Sequence, residues 1–295
     1  MESYYPRTVG SPSLPSAFIG KRLHSLAGLF LVLFLIEHLV TNSQAALFVG
    51  DDGAGFINSV NFLYTLPYLP IIEITLLGFP ILLHGWLGIK YLLTSKPNSI
   101  HTDGSKPALY YLPRNKAYTW QRITALIVVI GIPLHVAYMR FINHPTEVRH
   151  GVNSEFYVKV SKDAGLKSVS KRMDVVLVDQ NTIDSEGLKN ILPTKDTTLE
   201  NDEVLTISKN FGTSLLLTVR DAFKSVWLCF FYTVFVLATC FHAFNGVWTF
   251  AISWGIALSE KGRGCVRIFS NVLIVFIALL GLCAIWGTYW INLRN

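Results

Sequence analysis

Residues 31 to 40 read LVLFLIEHLV, and inside this apolar run an acid and an imidazole, Glu37 and His38, stand side by side. On a helix of a soluble domain such residues would turn to a wet face, but here Leu, Ile, Val and Phe lie on every side. A helix that is apolar all round belongs in hydrocarbon or deep inside a large protein. Composition selects hydrocarbon. The 295-residue chain is 51% hydrophobic and 15% charged, with a mean hydropathy of +0.42, whereas a soluble domain carries about 25% charged residues. A helix needs about 20 residues to cross a bilayer. Five apolar runs reach that length, at roughly 25–44, 69–93, 121–142, 225–254 and 268–291.

The expected fold is therefore an all-α membrane protein with five transmembrane helices, three within 1–142 and two within 216–295. The N-terminal stretch MESYYPRTVGSPSLPSAF is polar and lacks a cleavable signal pattern, so the first span is expected to stay in place. Cys229, Cys240, Cys265 and Cys283 fall in or beside spans without metal-ligand spacing and read as packing thiols.

Charge gives an orientation. Short cytoplasmic loops are enriched in Lys and Arg. The N-terminal segment carries Arg7, Lys21 and Arg22. The second-to-third connection has Lys90, Lys96, Lys106, Arg114, Lys116 and Arg122, and the fourth-to-fifth has Lys261, Arg263 and Arg267. The first-to-second loop has none, and the C-terminal tail has only Arg294. The expectation is a multi-pass protein of the bacterial cytoplasmic membrane, N-terminus inside and C-terminus outside. Its net charge of +6 follows from these loops and calls for no nucleic-acid partner. The long third-to-fourth connection contains FYVKV, VVLVD, VLTIS and SLLLTV, all read as short strands. Residues 143–215 are thus expected to form a small β-rich extracytoplasmic insertion, a structural cap or docking surface.

Eight histidines remain to be weighed. His101, His144 and His150 sit in polar loops, where exposed side chains are the default, and His24 lies at the inner edge of the first span. His38, His84, His135 and His242 fall one in each of the first four spans. One such histidine could simply bond a neighbouring helix; four on consecutive helices are different, because ionisable groups in hydrocarbon are rare and usually functional. Facing histidines in a helical bundle can supply both axial ligands of an iron porphyrin. Distance from the span ends puts His38 and His135 in an outer layer and His84 in an inner one. A glycine four residues after His84 and His242, in HGWLG and HAFNG, pairs those two and leaves room for a flat ring. Two haem sites about 15 Å apart along the membrane normal follow.

The segments KRLHSLAGLFLVLFLIEHLVTN, FPILLHGWLG, WQRITALIVVIGIPLHVAYMR and CFHAFNGVWTFAISWGI resemble the dihaem cytochrome b subunit of succinate:quinone oxidoreductases, of the single five-helix type that uses menaquinone. The resemblance covers all five spans in order but not the 143–215 insertion, which that pattern lacks. It implies two b haems, His84 and His242 on the inner iron, and His38 and His135 on the outer. It also implies flavoprotein and iron–sulfur subunits on the cytoplasmic face and a quinone, menaquinone or another, as electron acceptor. Fumarate reductases share the architecture, so the direction of flux stays open. The chain has no flavin or cysteine-cluster motif, so succinate chemistry falls to the partners.

Within that frame, His24 with Arg22 and Ser25 would hold propionates of the inner haem or face the iron–sulfur subunit, unless they form a plain interfacial cluster. Gln121 and Arg122 fit the same inner role. Arg140 would neutralise outer propionates or simply end its helix with a positive charge. Glu73 is the first candidate for quinone protonation and Glu37 the second. Some relatives carry an acid two residues before the inner fourth-span ligand; here Cys240 stands there, which puts that proton relay in doubt. A cytochrome of the bc kind needs paired histidines on two helices, and no span but the first offers such a pair. The alternatives are the cytochrome b anchor of a hydrogenase or formate dehydrogenase and, from another class, a proton-coupled transporter. The latter predicts internal repeats and broken helices, of which the sequence shows neither.

Overall fold

A computed structural model describes residues 14–94, 109, 111–185, 187–193 and 197–294. Arg7, Lys96, His101 and Lys106 lie outside the described residues. Five helices are long and apolar enough to cross a membrane. These are α1 (Ser16–Ser43), α3 (Leu69–Thr94), α4 (Pro113–Ile142), α8 (Val226–Ser253) and α9 (Glu260–Leu293). Local chemistry marks their ends. Proline stands in the first turn of α3 and of α4, where no intrahelical N–H is missed. The hydroxyls of Ser225 and Ser259 accept from the backbone N–H of Leu228 and Gly262 to cap α8 and α9.

α3, α4 and α9 each contain a π-helical turn, at Ile74–Gly78, Ala137–Ile142 and Cys283–Gly287. The first ends two residues before Pro80, whose ring lacks an N–H and would crowd the carbonyl of Leu76, inside that turn, in a regular helix. In the bundle α8 packs on α4, α9 and α1, while α3 packs on α1. The close approach of α4 to α8 depends on Gly131, where a Cβ would collide with the ring of Phe235. The core joins Val32 and Leu39 of α1, Tyr232, Phe235, Cys240 and Phe244 of α8, and Ile277 of α9.

Both long connections on one face of the bundle are folded. Between α1 and α3 lies α2 (Ala54–Tyr64). Between α4 and α8 lies a cap with β1 (Thr146–His150), β2 (Asn153–Ser161), α5 (Leu166–Arg172), β3 (Val176–Val178), α6 (Gln180–Ser185), β4 (Glu203–Ser208) and α7 (Phe211–Ala222). Its sheet has the order β1-β2-β4-β3 and is antiparallel throughout, with Tyr157 opposite Thr146 and Ile207, and Leu177 opposite Thr206. Alternation along β2 and β4 feeds two small cores. Val158, Val160 and Val204 pack with α5, and Tyr157 and Leu205 pack with Ile183 of α6.

FYVKV, VVLVD and VLTIS thus contribute to strands, but SLLLTV does not. Residues 214–219 lie inside helix α7, which also runs across the boundary expected at 215. Asn210 caps this helix by accepting from the N–H of Thr213, and its apolar residues serve two cores. Leu216, Val219 and Phe223 face the bundle core, while Leu217 enters the cap core. A two-sided apolar helix of this length imitates strand alternation over six residues.

Candidate haem sites between the spans

The acid and imidazole of the opening stretch part company. Adjacent helical residues point about 100° apart, so His38 turns into the bundle while Glu37 is exposed, accepting a hydrogen bond from Thr41 Oγ1 at 3.0 Å. Across from His38 stands His135 of α4, with ring centres 5.9 Å apart and planes at 76°. Towards the other end of the bundle His84 of α3 meets His242 of α8 at 6.1 Å and 87°. For comparison, two metal–imidazole bonds of about 2 Å, plus about 1 Å from each nitrogen to its ring centre, separate trans ligands by about 6 Å. Among the described residues no group of three or more His, Cys, Asp or Glu is arranged to hold a metal ion. A metal between either pair would take its remaining ligands from outside these side chains, which a haem's macrocycle can supply.

The outward nitrogens are tethered. His84 Nδ1 lies 2.9 Å from the backbone oxygen of His24, and His242 Nδ1 lies 3.3 Å from that of Gln121. His135 Nδ1 is 3.0 Å from the Tyr232 hydroxyl. A ligating histidine commonly donates its second N–H in this way, which fixes the tautomer and leaves Nε2 for the metal. His38 differs: the Asn42 amide nitrogen sits 3.4 Å from its Nδ1 and donates to the His38 carbonyl at 2.7 Å. Space for a flat group also exists. Of the two glycines four residues after these histidines, a Cβ on Gly246 would meet only the Gln121 amide nitrogen at 3.9 Å, while one on Gly88 would touch His24 Nε2 at 3.4 Å, so the freer space lies on the His242 side.

The remaining sequence candidates divide by end. His24 stacks on His84 at 4.0 Å and 14°, with its own Nε2 buried and unpartnered. One turn nearby, Arg22 lies over the rings of Phe18 and Trp254, and Ser25 Oγ accepts from Trp254 Nε1 at 2.9 Å. Arg122 donates to the carbonyl of Leu92 and so ties α4 to the end of α3. At the capped end Arg140 pairs with Glu73 at 3.1 Å, both about half exposed, and also meets the ring of His144. Arg140 and Glu73 lie in and beside the π-helical turns of α4 and α3.

Tyr232 and Asn245 were not singled out from the sequence. Asn245 donates to the Gln121 side chain at 2.7 Å, and Gln121 donates in turn to the His242 carbonyl at 2.9 Å, bracing the fourth-span histidine. Both lie in the fourth apolar run, where a polar group on an otherwise apolar helix was the only signal.

No protein-family model matches the chain. A succinate dehydrogenase cytochrome b558 subunit from Bacillus subtilis (strain 168) is 26% identical over 274 residues, covering 92% of this chain and 96% of that protein. Along nearly its whole length, then, this chain is similar to the cytochrome b membrane subunit of a succinate dehydrogenase, and the resemblance carried by its histidine-bearing spans holds.

Proposed function

We propose that this chain anchors a succinate dehydrogenase in the bacterial cytoplasmic membrane and holds two b haems, one between His84 and His242, the other between His38 and His135. The observation that carries this reading is the pair of facing imidazole couples, whose ring centres lie 5.9 and 6.1 Å apart and would leave room for one metal ion between each pair. When bound, two b haems supply one-electron transfer across the bilayer, from the partner iron–sulfur subunit towards a quinone. His24, Arg22, Ser25 and Arg122 stand at the end that would meet the flavoprotein and iron–sulfur partners, and they can bind propionates there. Arg140 offers a cation at the opposite end.

Glu73 is the proton-exchanging group proposed for a menaquinone at that outer end, with Glu37 as second candidate. Its pairing with Arg140 holds the carboxylate beside the outer layer and offsets the cost of an acid at the membrane boundary. Quinone reduction takes up two protons, which such a group can deliver to a carbonyl oxygen within hydrogen-bond reach.

The test is optical. The purified chain should show b-type bands at two haems per chain. His84→Ala or His242→Ala should remove one spectral component, and His38→Ala or His135→Ala the other. A colourless protein, or loss of the same component in His38→Ala and His84→Ala, would overturn the assignment.

A further inference from the structure

We infer that Tyr232 is a positioning residue for the outer site: its phenol oxygen accepts the Nδ1–H of His135 and so sets which ring nitrogen faces the iron. This rests on the reading of His135 as an axial ligand. Tyr232 is 5% exposed in the bundle core. Its ring is wedged against Phe223 at 5.3 Å and Phe231 at 5.4 Å, both edge-on, so the hydroxyl has little freedom to move away. The oxygen stands 3.0 Å from His135 Nδ1, across the α4–α8 contact. An imidazole that binds a metal through Nε2 carries its proton on Nδ1, so in the loaded site the phenol oxygen must be the acceptor.

The four histidines are not equivalent in this respect. Both inner ones lean on backbone carbonyls, of His24 and Gln121, which no substitution removes. His38 has the Asn42 amide nitrogen beside it, a donor rather than an acceptor. Among the four, only His135 has its outward nitrogen paired with a side-chain oxygen. Tyr232 also precedes His242 by ten residues, about 15 Å along α8. One helix therefore carries a ligand of the inner site and the anchor of the outer.

The acceptor matters chemically because it raises the basicity of the ligating ring, and a more basic ligand favours ferric over ferrous iron. Tyr232→Phe removes one oxygen and keeps the packing. In redox titrations of the assembled complex, followed separately for each haem, the component that His38→Ala abolishes should become easier to reduce. Its ferrous-to-ferric ratio at fixed potential should rise about three- to tenfold, tenfold being 59 mV for a one-electron couple. The component abolished by His84→Ala should titrate as in the parent protein. Loss of the outer component alone would also support the role.

Two haems at unchanged potentials would remove Tyr232 from the site while leaving the axial assignment standing. A response confined to the inner component would sink the pairing itself. Absence of both haems would count against the proposal, since one hydroxyl at the outer site has no direct means of emptying the inner one.

Discussion

At the scale of single residues, Gly28 shows how closely α1 is fitted to the inner site. A Cβ there would stand 2.8 Å from Cε1 and 3.0 Å from Nδ1 of His84. The imidazole would have to tilt, and its bond to the His24 carbonyl would lengthen. Gly28→Ala should therefore shift or abolish the inner haem component and leave the outer one intact. The change favours the helix itself by about 1 kcal/mol, while overpacking costs about 1–3 kcal/mol. General destabilisation is thus small, and a selective spectral loss would report the site. An unaltered spectrum would show that His84 has room to spare.

At the scale of elements, α7 joins the cap to the bundle. Its Arg220 side chain is almost fully buried and reaches Asp163 with two hydrogen bonds of 2.7 and 2.8 Å, and Lys224 adds a third contact at 2.8 Å. Burial alone would push the Asp163 carboxyl up, but Arg220 and Lys224 outweigh it and hold the carboxyl well below the usual range. A depressed carboxylate contributes stability that is complete above its unfolded value, about 3.9, and is lost as pH falls towards the folded value. The cap should resist protease steadily from neutral pH to about 5 and open progressively below about 4. In Asp163→Asn that acid-dependent step should vanish, together with part of the stability at neutral pH. Arg220→Met should weaken the cap by about 3 kcal/mol, the order expected when one partner of a buried pair is removed. If parent and Asp163→Asn opened at the same pH, another carboxylate would control the transition.

At the scale of the whole molecule, α2 and the cap cover one end of the bundle. They are pinned together by Arg172, which grips Asp52 with bonds of 3.0–3.1 Å, and by the Asn61 carbonyl, which accepts from Gly212 N–H at 2.7 Å. Loop charge predicts that this end faces away from the cytoplasm. Ser185→Cys should then react with an impermeant thiol reagent added outside intact cells. The exposed native Cys265, at the opposite end, should react only after the membrane is opened. The reverse pattern would invert the orientation and exchange inner and outer haems. Glu73→Gln keeps an oxygen for Arg140 but carries no exchangeable acid proton. It should leave both haems and dye-linked succinate oxidation unchanged while quinone reduction falls by about 10²-fold. Normal quinone turnover would move the search to Glu37 or to the cluster around His24.

Sequence alone determined what depends on the solvent and on distance along one helix. Hydrocarbon demands a run of about 20 apolar residues, so the five spans could be counted, and an ionisable side chain inside such a run is conspicuous whatever its partner. His38, His84, His135 and His242 were legible for that reason, and so were three of the sheet's four strands, whose alternation is local; β1 was not singled out. Only the tertiary structure decided which faces meet. Glu73 and Arg140 are 67 residues apart in the chain, and His135 and Tyr232 are 97 apart. No periodicity within either helix records the other. α7 escaped because six residues of a helix with two apolar sides carry the same pattern as a strand. Its true form follows from the two cores it joins, Leu216 and Val219 on the bundle and Leu217 in the cap.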